Sequence, residues 1–366
     1  MYPIFTSKRG FSPTGICVAV FCLLLTVGCV ISPRRTLGGG GGTPTPTPTP
    51  SPTGSPTPTP VPTGKLYVMD TNSSAVLRFD NAFTANGNIQ PSATIQGAAT
   101  TIHGNVGFMT LDTAHDSLYI ADTGDLSIVI YDSVSTKNGN VAPSRIITGP
   151  SLVNPTDVSL DKVRNLLYVA DDVDILVYAS ASTANGTPAP ARDLTVPFVI
   201  SGIFIDGAND RLYVADQAGN AIAVYDHAST LASGPITANR AVQGVTNTHL
   251  SNPGGIQIDG AGRLVVSNAS PPSITIYANA ATADGDIAPV ATIAGASTGL
   301  STPDQIFIDA TGTGTLYNAD PGAARVAVWS NLNTANGNIQ PTRAISGALT
   351  GLTAGGPVGL ALDTTR

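Results

Sequence analysis

One five-residue phrase recurs six times and constrains the chain more than anything else in it. It reads Leu118-Tyr119-Ile120-Ala121-Asp122 in one copy and returns at 66–70, 167–171, 212–216, 264–268 and 316–320. After each copy comes a second phrase ending in an aromatic, at Phe79, Tyr131, Tyr178, Tyr225, Tyr277 and Trp329, with spacings of 52, 47, 47, 52 and 52 residues. A period of that size holds four short strands, the content of one propeller blade. Helical repeats of similar length need long amphipathic helices, which this sequence lacks. The expected fold is therefore all-β, a six-bladed β-propeller with four-stranded blades.

Copy two, read as strands, gives a over 108–112, b over 118–122, c over 128–131 and d over 144–148. Strand a carries the clearest packing signal. Counting back from its closing Asp, the residues one and three earlier are apolar in every copy: Met109 and Leu111, Val158 and Leu160, Ile203 and Ile205, Ile256 and Ile258, Ile306 and Ile308, Leu360 and Leu362. Strand alternation puts these on one face and a mixed row on the other. That mixed row, which includes Phe108, Asp157, Phe204 and Gln305, is expected to border the central channel. Between c and d stand Asn86-Gly87, Asn138-Gly139, Asn185-Gly186, Ser233-Gly234, Asp284-Gly285 and Asn336-Gly337, pairs that accept the positive φ of a tight reversal or a helix cap. The first repeat begins at strand b, and residues 357–363 are a strand a with no b after it. The two are expected to complete one blade and close the ring, leaving no terminal edge.

The phrases P-x-G-I-x-x-D, L-Y-V-A-D and V-Y-D resemble the NHL repeat, and the resemblance runs over essentially all of 65–363. It implies a propeller, and it leaves open adhesion, protein binding, RNA binding and lyase or lactonase-like chemistry.

Ahead of the repeats the sequence divides at residues 28 and 63. Lys8 and Arg9 precede an apolar stretch over 16–27, the order of an export signal. The stretch ends Leu25-Thr26-Val27-Gly28-Cys29, which resembles a bacterial lipobox with Thr26 where Leu is usual. Residues 1–28 are thus expected to be a lipoprotein signal peptide and Cys29 the lipidated residue, placing the protein at the outer membrane or cell surface. A glycine run at 38–42 and alternating Pro with Thr or Ser over 43–63 make 29–63 a stalk. Its 21 Pro-rich residues, at about 3.1 Å each, span roughly 65 Å as polyproline II. The propeller occupies 64–366.

Composition narrows the chemistry. All 24 acidic residues are Asp, which removes every Glu-based mechanism, and the three cysteines, Cys17, Cys22 and Cys29, lie in the leader. The net charge of −7, with only four lysines, disfavours nucleic acid, whose phosphates need clustered cations. Asp ends strand b in five copies and Asn in the sixth, the pattern of a turn cap and not of a metal ring. His103 and His249 fall in d-to-a connections three blades apart, and two imidazoles are too few for a usual zinc site. Asp157 is the one carboxylate in the mixed row of strand a, so no carboxylate pair stands there for acid/base work. Arg145, Arg192, Arg240 and Arg343 enter strands d and are expected to pair with nearby carboxylates or carbonyls.

These readings give a monomeric, non-enzymatic binding or scaffold module of the cell envelope with no cofactor. Its partner is a protein or glycan, and His103, Asp157, His249 and Gln305 are its ligand-facing residues. The ligand face is expected on the b-to-c turns and the d-to-a loops, above all 97–107, 244–254 and 347–357. The alternative is a hydrolase or lyase of the lactonase or NHL-lyase type acting at the channel mouth.

Overall fold

Strand b of each repeat is apolar at consecutive positions because both of its faces are covered. In blade 2, Leu118 and Ile120 join one cluster, shared with blade 1, while Tyr119 and Ala121 join the next, shared with blade 3. A sheet buried on two sides reads as a continuous apolar run, where a half-exposed one would alternate. The computed structural model describes residues 63–310 and 314–366, within the compact unit Thr59–Arg366. Cys29, the signal segment and the stalk up to residue 62 lie outside the described residues.

Six sheets form the ring. Blade 2 sets the pattern: a is Val106–Asp112, b Ser117–Asp122, c Ser127–Asp132 and d Arg145–Ile147, each antiparallel to the next. Blades 3 to 6 repeat it, with strands a at Pro155–Asp161, Ile200–Asp206, Pro253–Ile258 and Ile306–Asp309. Blade 1 takes b, c and d from Lys65–Asp70, Ala75–Asp80 and Ala93–Ile95, and its strand a from Pro357–Asp363, with Leu66 opposite Leu362 and Val68 opposite Leu360. The two chain segments thus complete one blade, as expected. Six apolar clusters fill the ring, one at each blade-to-blade boundary.

The Asn-Gly pairs do more than turn the chain. Each glycine has positive φ, from 70° to 104°, but it bridges in parallel to the outer strand of the preceding blade, for example Gly139 to Ile95 and Gly87 to Ile345. The residue before each glycine accepts a backbone N–H from that same strand. Thr94 N–H donates to Asn138 Oδ1 at 3.0 Å and Ala344 N–H to Asn86 Oδ1 at 2.9 Å, and Ser233 Oγ plays the part in blade 4, accepting from Asp193 at 3.2 Å. The strand edge that would template foreign chains is covered by the neighbour's linker at every one of six boundaries. Arginines reinforce this belt. Arg145 stacks over Tyr119 with its Cζ 5.5 Å from the ring centroid and donates to the Ala181 and Ala184 carbonyls of blade 3. Arg343 does the same over Tyr317, reaching the Ala82 and Ala85 carbonyls of blade 1.

Candidate functional site

The axis is shaped by an irregularity that strict alternation does not contain. Five strands a shift register against strand b by one extra residue, for example between Val106 and Met109. In blade 6 the same shift shows as Ala319 accepting from Asp304 N–H and donating to the Gln305 carbonyl. A bulge of this kind turns two consecutive residues toward the same side. Two rings therefore face the axis instead of one. The inner ring, four residues before the closing Asp, is Phe108, Asp157, Gly202, Gly255, Gln305 and Gly359; the outer, one residue earlier, is Gly107, Thr156, Ser201, Gly254, Asp304 and Val358. Glycine serves here by closeness: a Cβ on Gly107 would lie 2.0 Å from the Thr156 carbonyl oxygen, and one on Gly202 would lie 2.3 Å from that of Gly254.

The inner ring's polar side chains tie strands together. Gln305 Oε1 accepts from Leu360 N–H at 2.6 Å and Met109 N–H at 3.3 Å, and its Nε2 donates to the Met109 carbonyl, so one amide joins three blades. Asp157 accepts from Val158 and Ile203 N–H, both at 2.7 Å. Burial nonetheless pushes its carboxyl well above the usual range, with the nearby Asp304 charge acting in the same direction and the two N–H bonds against it.

Two recesses lie on the axis and share only Phe108 in their linings. One, of about 340 Å³, opens toward the a-to-b hairpins and is walled by Phe204, Phe307, Leu111 and Leu160, with Asp157 and Gln305 in its lining. The other, of about 490 Å³, opens on the face of the b-to-c turns and d-to-a loops; the outer ring forms its wall, with Asn105, Asn154, Gln217 and Asn252 nearer the mouth. Asp304 is the one titratable residue in that second lining. Desolvation raises its carboxyl from 3.8 to about 7. Asp304 was not among the expected site residues, because simple alternation assigns it to the face away from the axis. The signal was present in the aligned repeats, where the outer-ring position reads Gly, Thr, Ser, Gly, Asp and Val.

The loops around this mouth are pinned by the residues that end strands b. Asp122 caps its own turn through Asp125 N–H and also accepts from His103 N–H in the incoming loop. Asp171 accepts from Val153 and Asn154, Asn268 from Ser251, Asp320 from Ser301 and Thr302, and Asp70 from Thr353. The expected cap on the b-to-c turn is made by Asp70, Asp122 and Asp216, which accept from Ser73, Asp125 and Gly219 N–H; Asp171, Asn268 and Asp320 instead spend their side-chain acceptors on the incoming loop. Exposed apolar side chains favour the same face: of seven exposed large hydrophobics among the described residues, five (Leu126, Val153, Val199, Val245 and Leu349) stand on its turns and loops, in different blades.

The four residues expected to face a ligand fall in three places. Asp157 and Gln305 share the hairpin-side recess. His103 is on the loop face with its side chain 55% exposed, its Nδ1 2.6 Å from Asp125 Oδ2, and that carboxylate raises its pKa. His249, with φ 56°, stands over a peripheral cleft beside Gly219 and Asn220. Among the described residues no group of three or more His, Cys or Asp side chains is placed to hold a metal ion.

These features define a closed six-bladed propeller with a polar recess on its loop face. No protein-family model matches the chain, and no curated protein matches it in sequence. Among solved structures, a chain of the nidogen/laminin complex is similar at 14% identity with a TM-score of 0.55, covering 82% of this chain and 98% of that one. A functionally unknown protein from Desulfotomaculum acetoxidans DSM 771 is similar at 12% identity with a TM-score of 0.51, over 76% of this chain and 79% of that one. At such identities the likeness is one of fold.

Proposed function

We propose that the protein is a non-enzymatic binding module of the bacterial cell envelope. It is exported, anchored by a lipid on Cys29, carried on the Pro-rich stalk, and engages a protein partner through the loop face of an NHL-like propeller. The observation that carries this reading is that five of the seven exposed large hydrophobics among the described residues, Leu126, Val153, Val199, Val245 and Leu349, stand on one face of the ring. Such an asymmetry between the two faces is what a partner seated on the loop face would use, since apolar side chains are the ones whose burial an interface core favours. The nidogen/laminin complex, which contains a chain of this fold, is an assembly of two proteins.

Crosslinking of the full-length protein in its native envelope tests this. Val153→Asp combined with Val199→Asp is expected to abolish a specific crosslinked partner, while Val163→Asp, on the opposite face, leaves it. Equal crosslinking by both variants removes the loop face from the account. Metabolic labelling with a fatty acid, lost in Cys29→Ser, tests the anchor.

One observation favours the second reading, a channel-mouth hydrolase or lyase: Asp304 titrates near neutrality, where a general acid or base works best. A turnover lost in Asp304→Asn with binding retained would support it.

A further inference from the structure

The Asp304 carboxylate has no partner among the described residues, like the buried Thr156 hydroxyl of the same ring and unlike Ser201 Oγ, which donates to the Ala215 and Pro253 carbonyls. The backbone of Asp304 is fully used, with its N–H donating to the Ala319 carbonyl at 2.9 Å and its own carbonyl accepting from Ser267 Oγ at 2.7 Å. Its carboxylate receives no hydrogen bond and forms no ion pair among the described residues. The contrast with Asp157 is direct, since that carboxyl holds two N–H donors at 2.7 Å. It is equally sharp with Asp132 and Asp226 on the rim, which are held by Arg145 and Arg240. A carboxylate half-buried in the wall of the recess, its oxygens reached from the recess and left without a protein donor, is open to a cation supplied from outside.

The surroundings say what kind of cation fits. No Arg, Lys or His lines the recess, so nothing in the described wall repels a positive charge. Asn105, Asn154, Gln217 and Asn252 bring side-chain amides with carbonyl acceptors for a group that carries several N–H donors. A hard metal ion wants six or more oxygen ligands with several carboxylates, and a single carboxylate does not meet that. A guanidinium pairs with a carboxylate through a planar bidentate fork, whereas an ammonium pairs with it as a point charge and turns its remaining N–H groups to acceptors around it, which here are the amides of Asn105, Asn154, Gln217 and Asn252. A compact ammonium on an alkyl chain fits an axial recess of about 490 Å³ with Val199 and Val358 on its walls.

We propose that the loop-face recess is a binding site for a primary alkylammonium group, with Asp304 as its counter-ion. The site does not depend on the loop face binding a protein. Where a protein does bind there, a lysine side chain is the group that reaches the axis; otherwise the ligand is a free small amine. The Asp304 charge acts on the nearby Asp157 carboxyl, which is engaged by the Val158 and Ile203 N–H groups and so is not available to the recess.

The test is calorimetric titration of the full-length protein with n-butylamine, n-butanol and an end-blocked tripeptide with a central lysine. Butylamine is expected to bind near pH 8 and butanol not to. Affinity should fall by about tenfold per pH unit once the pH drops below about 7, because the carboxyl must then lose a proton to bind. Asp304→Asn is expected to weaken binding by at least about tenfold. Gly254→Val provides a second variant that leaves the carboxyl in place, since a Cβ at Gly254 lies an ordinary 3.5 Å from Asp304 Oδ1 and its methyls cover the approach. It should weaken binding similarly. Tighter binding of the tripeptide than of butylamine assigns the site to a partner's lysine, and the reverse assigns it to a free amine. Absence of amine binding, equal binding of butanol, or retention of affinity in both variants overturns the proposal. Leu126→Asp with Val153→Asp, two exposed loop-face residues outside the recess lining, separates failure of the partner reading from failure of this one: a lost partner with retained amine binding leaves the recess standing.

Discussion

The rim and the hub of this ring are built on opposite rules. At the rim all six boundaries use one device, a positive-φ glycine bridged to the preceding blade and an Asn, Asp or Ser beside it accepting a backbone N–H. At the hub no two blades contribute the same pair: Gly107 with Phe108, Thr156 with Asp157, Ser201 with Gly202, Gly254 with Gly255, Asp304 with Gln305, Val358 with Gly359. Where a repeat unit is uniform it solves a problem every blade shares, namely an exposed strand edge. Where it diverges, each side chain has its own task, and those tasks divide into cross-blade bonding by Asp157 and Gln305 and an unpartnered carboxylate at Asp304.

Breaking the frame itself should have the largest effect. Deleting residues 355–366 removes the strand that pairs with Lys65–Asp70 and exposes the clusters containing Leu360, Ala361 and Leu362. The truncated protein is expected to lose its cooperative melting transition, whereas melting at an unchanged temperature would show that the ring tolerates an open blade.

The next effect lies at the hub and depends on pH. Asp304 and Asp157 hold protons in the folded state that the unfolded chain releases near 3.8. Stability should therefore fall as the pH rises from about 4, with the share due to Asp304 complete above about 7. At the rim the sign is reversed: Asp132, lowered chiefly by its bond from Arg145, and Asp226, lowered chiefly by Arg240, stabilise above their unfolded pKa and lose that contribution only in stronger acid. Chemical denaturation should find the protein more stable near pH 5 than near pH 8. Asp304→Asn should be more stable than the parent at pH 8 by on the order of 2 to 4 kcal/mol and nearly equal to it at pH 4.

A smaller gain is expected from blade 6. Asn318 stands where the other blades have Val68, Ile120, Val169, Val214 and Val266, and both its side-chain polar atoms are buried without a hydrogen-bond partner. Asn318→Val should stabilise by about 1 to 3 kcal/mol in the same assay, since an unsatisfied buried amide costs about that much. The smallest change is at the rim, where Asn138→Ala removes one acceptor for Thr94 N–H and should cost about 0.5 to 1.5 kcal/mol.

Blade number, ring closure and the two faces of strand a were legible because they rest on periodicity. The mixed row lines the hairpin-side recess as expected, apart from Gly202 and Gly359. The bulge was not legible, because it breaks the alternation used to read the strand. Its trace is a Pro three residues before the first residue of the apolar row, at Pro155, Pro253, Pro303 and Pro357, positions where a missing N–H is tolerated. The crossing of Asn-Gly to the next blade was equally hidden, since a local turn and a long-range bridge ask for the same two residues. Asp304 went unread for the first reason. Its chemistry is carried by one residue in one blade, and a method that looks for what repeats passes over it.

The most direct single measurement is a carbon-13 carboxyl titration of aspartate-labelled full-length protein from about pH 4 to about pH 9, with Asp304→Asn to assign the resonance. The account predicts a carboxyl with a midpoint near 7 that vanishes in the variant and moves downward when n-butylamine is added. A midpoint near 4 for Asp304, indifferent to the amine, would contradict it.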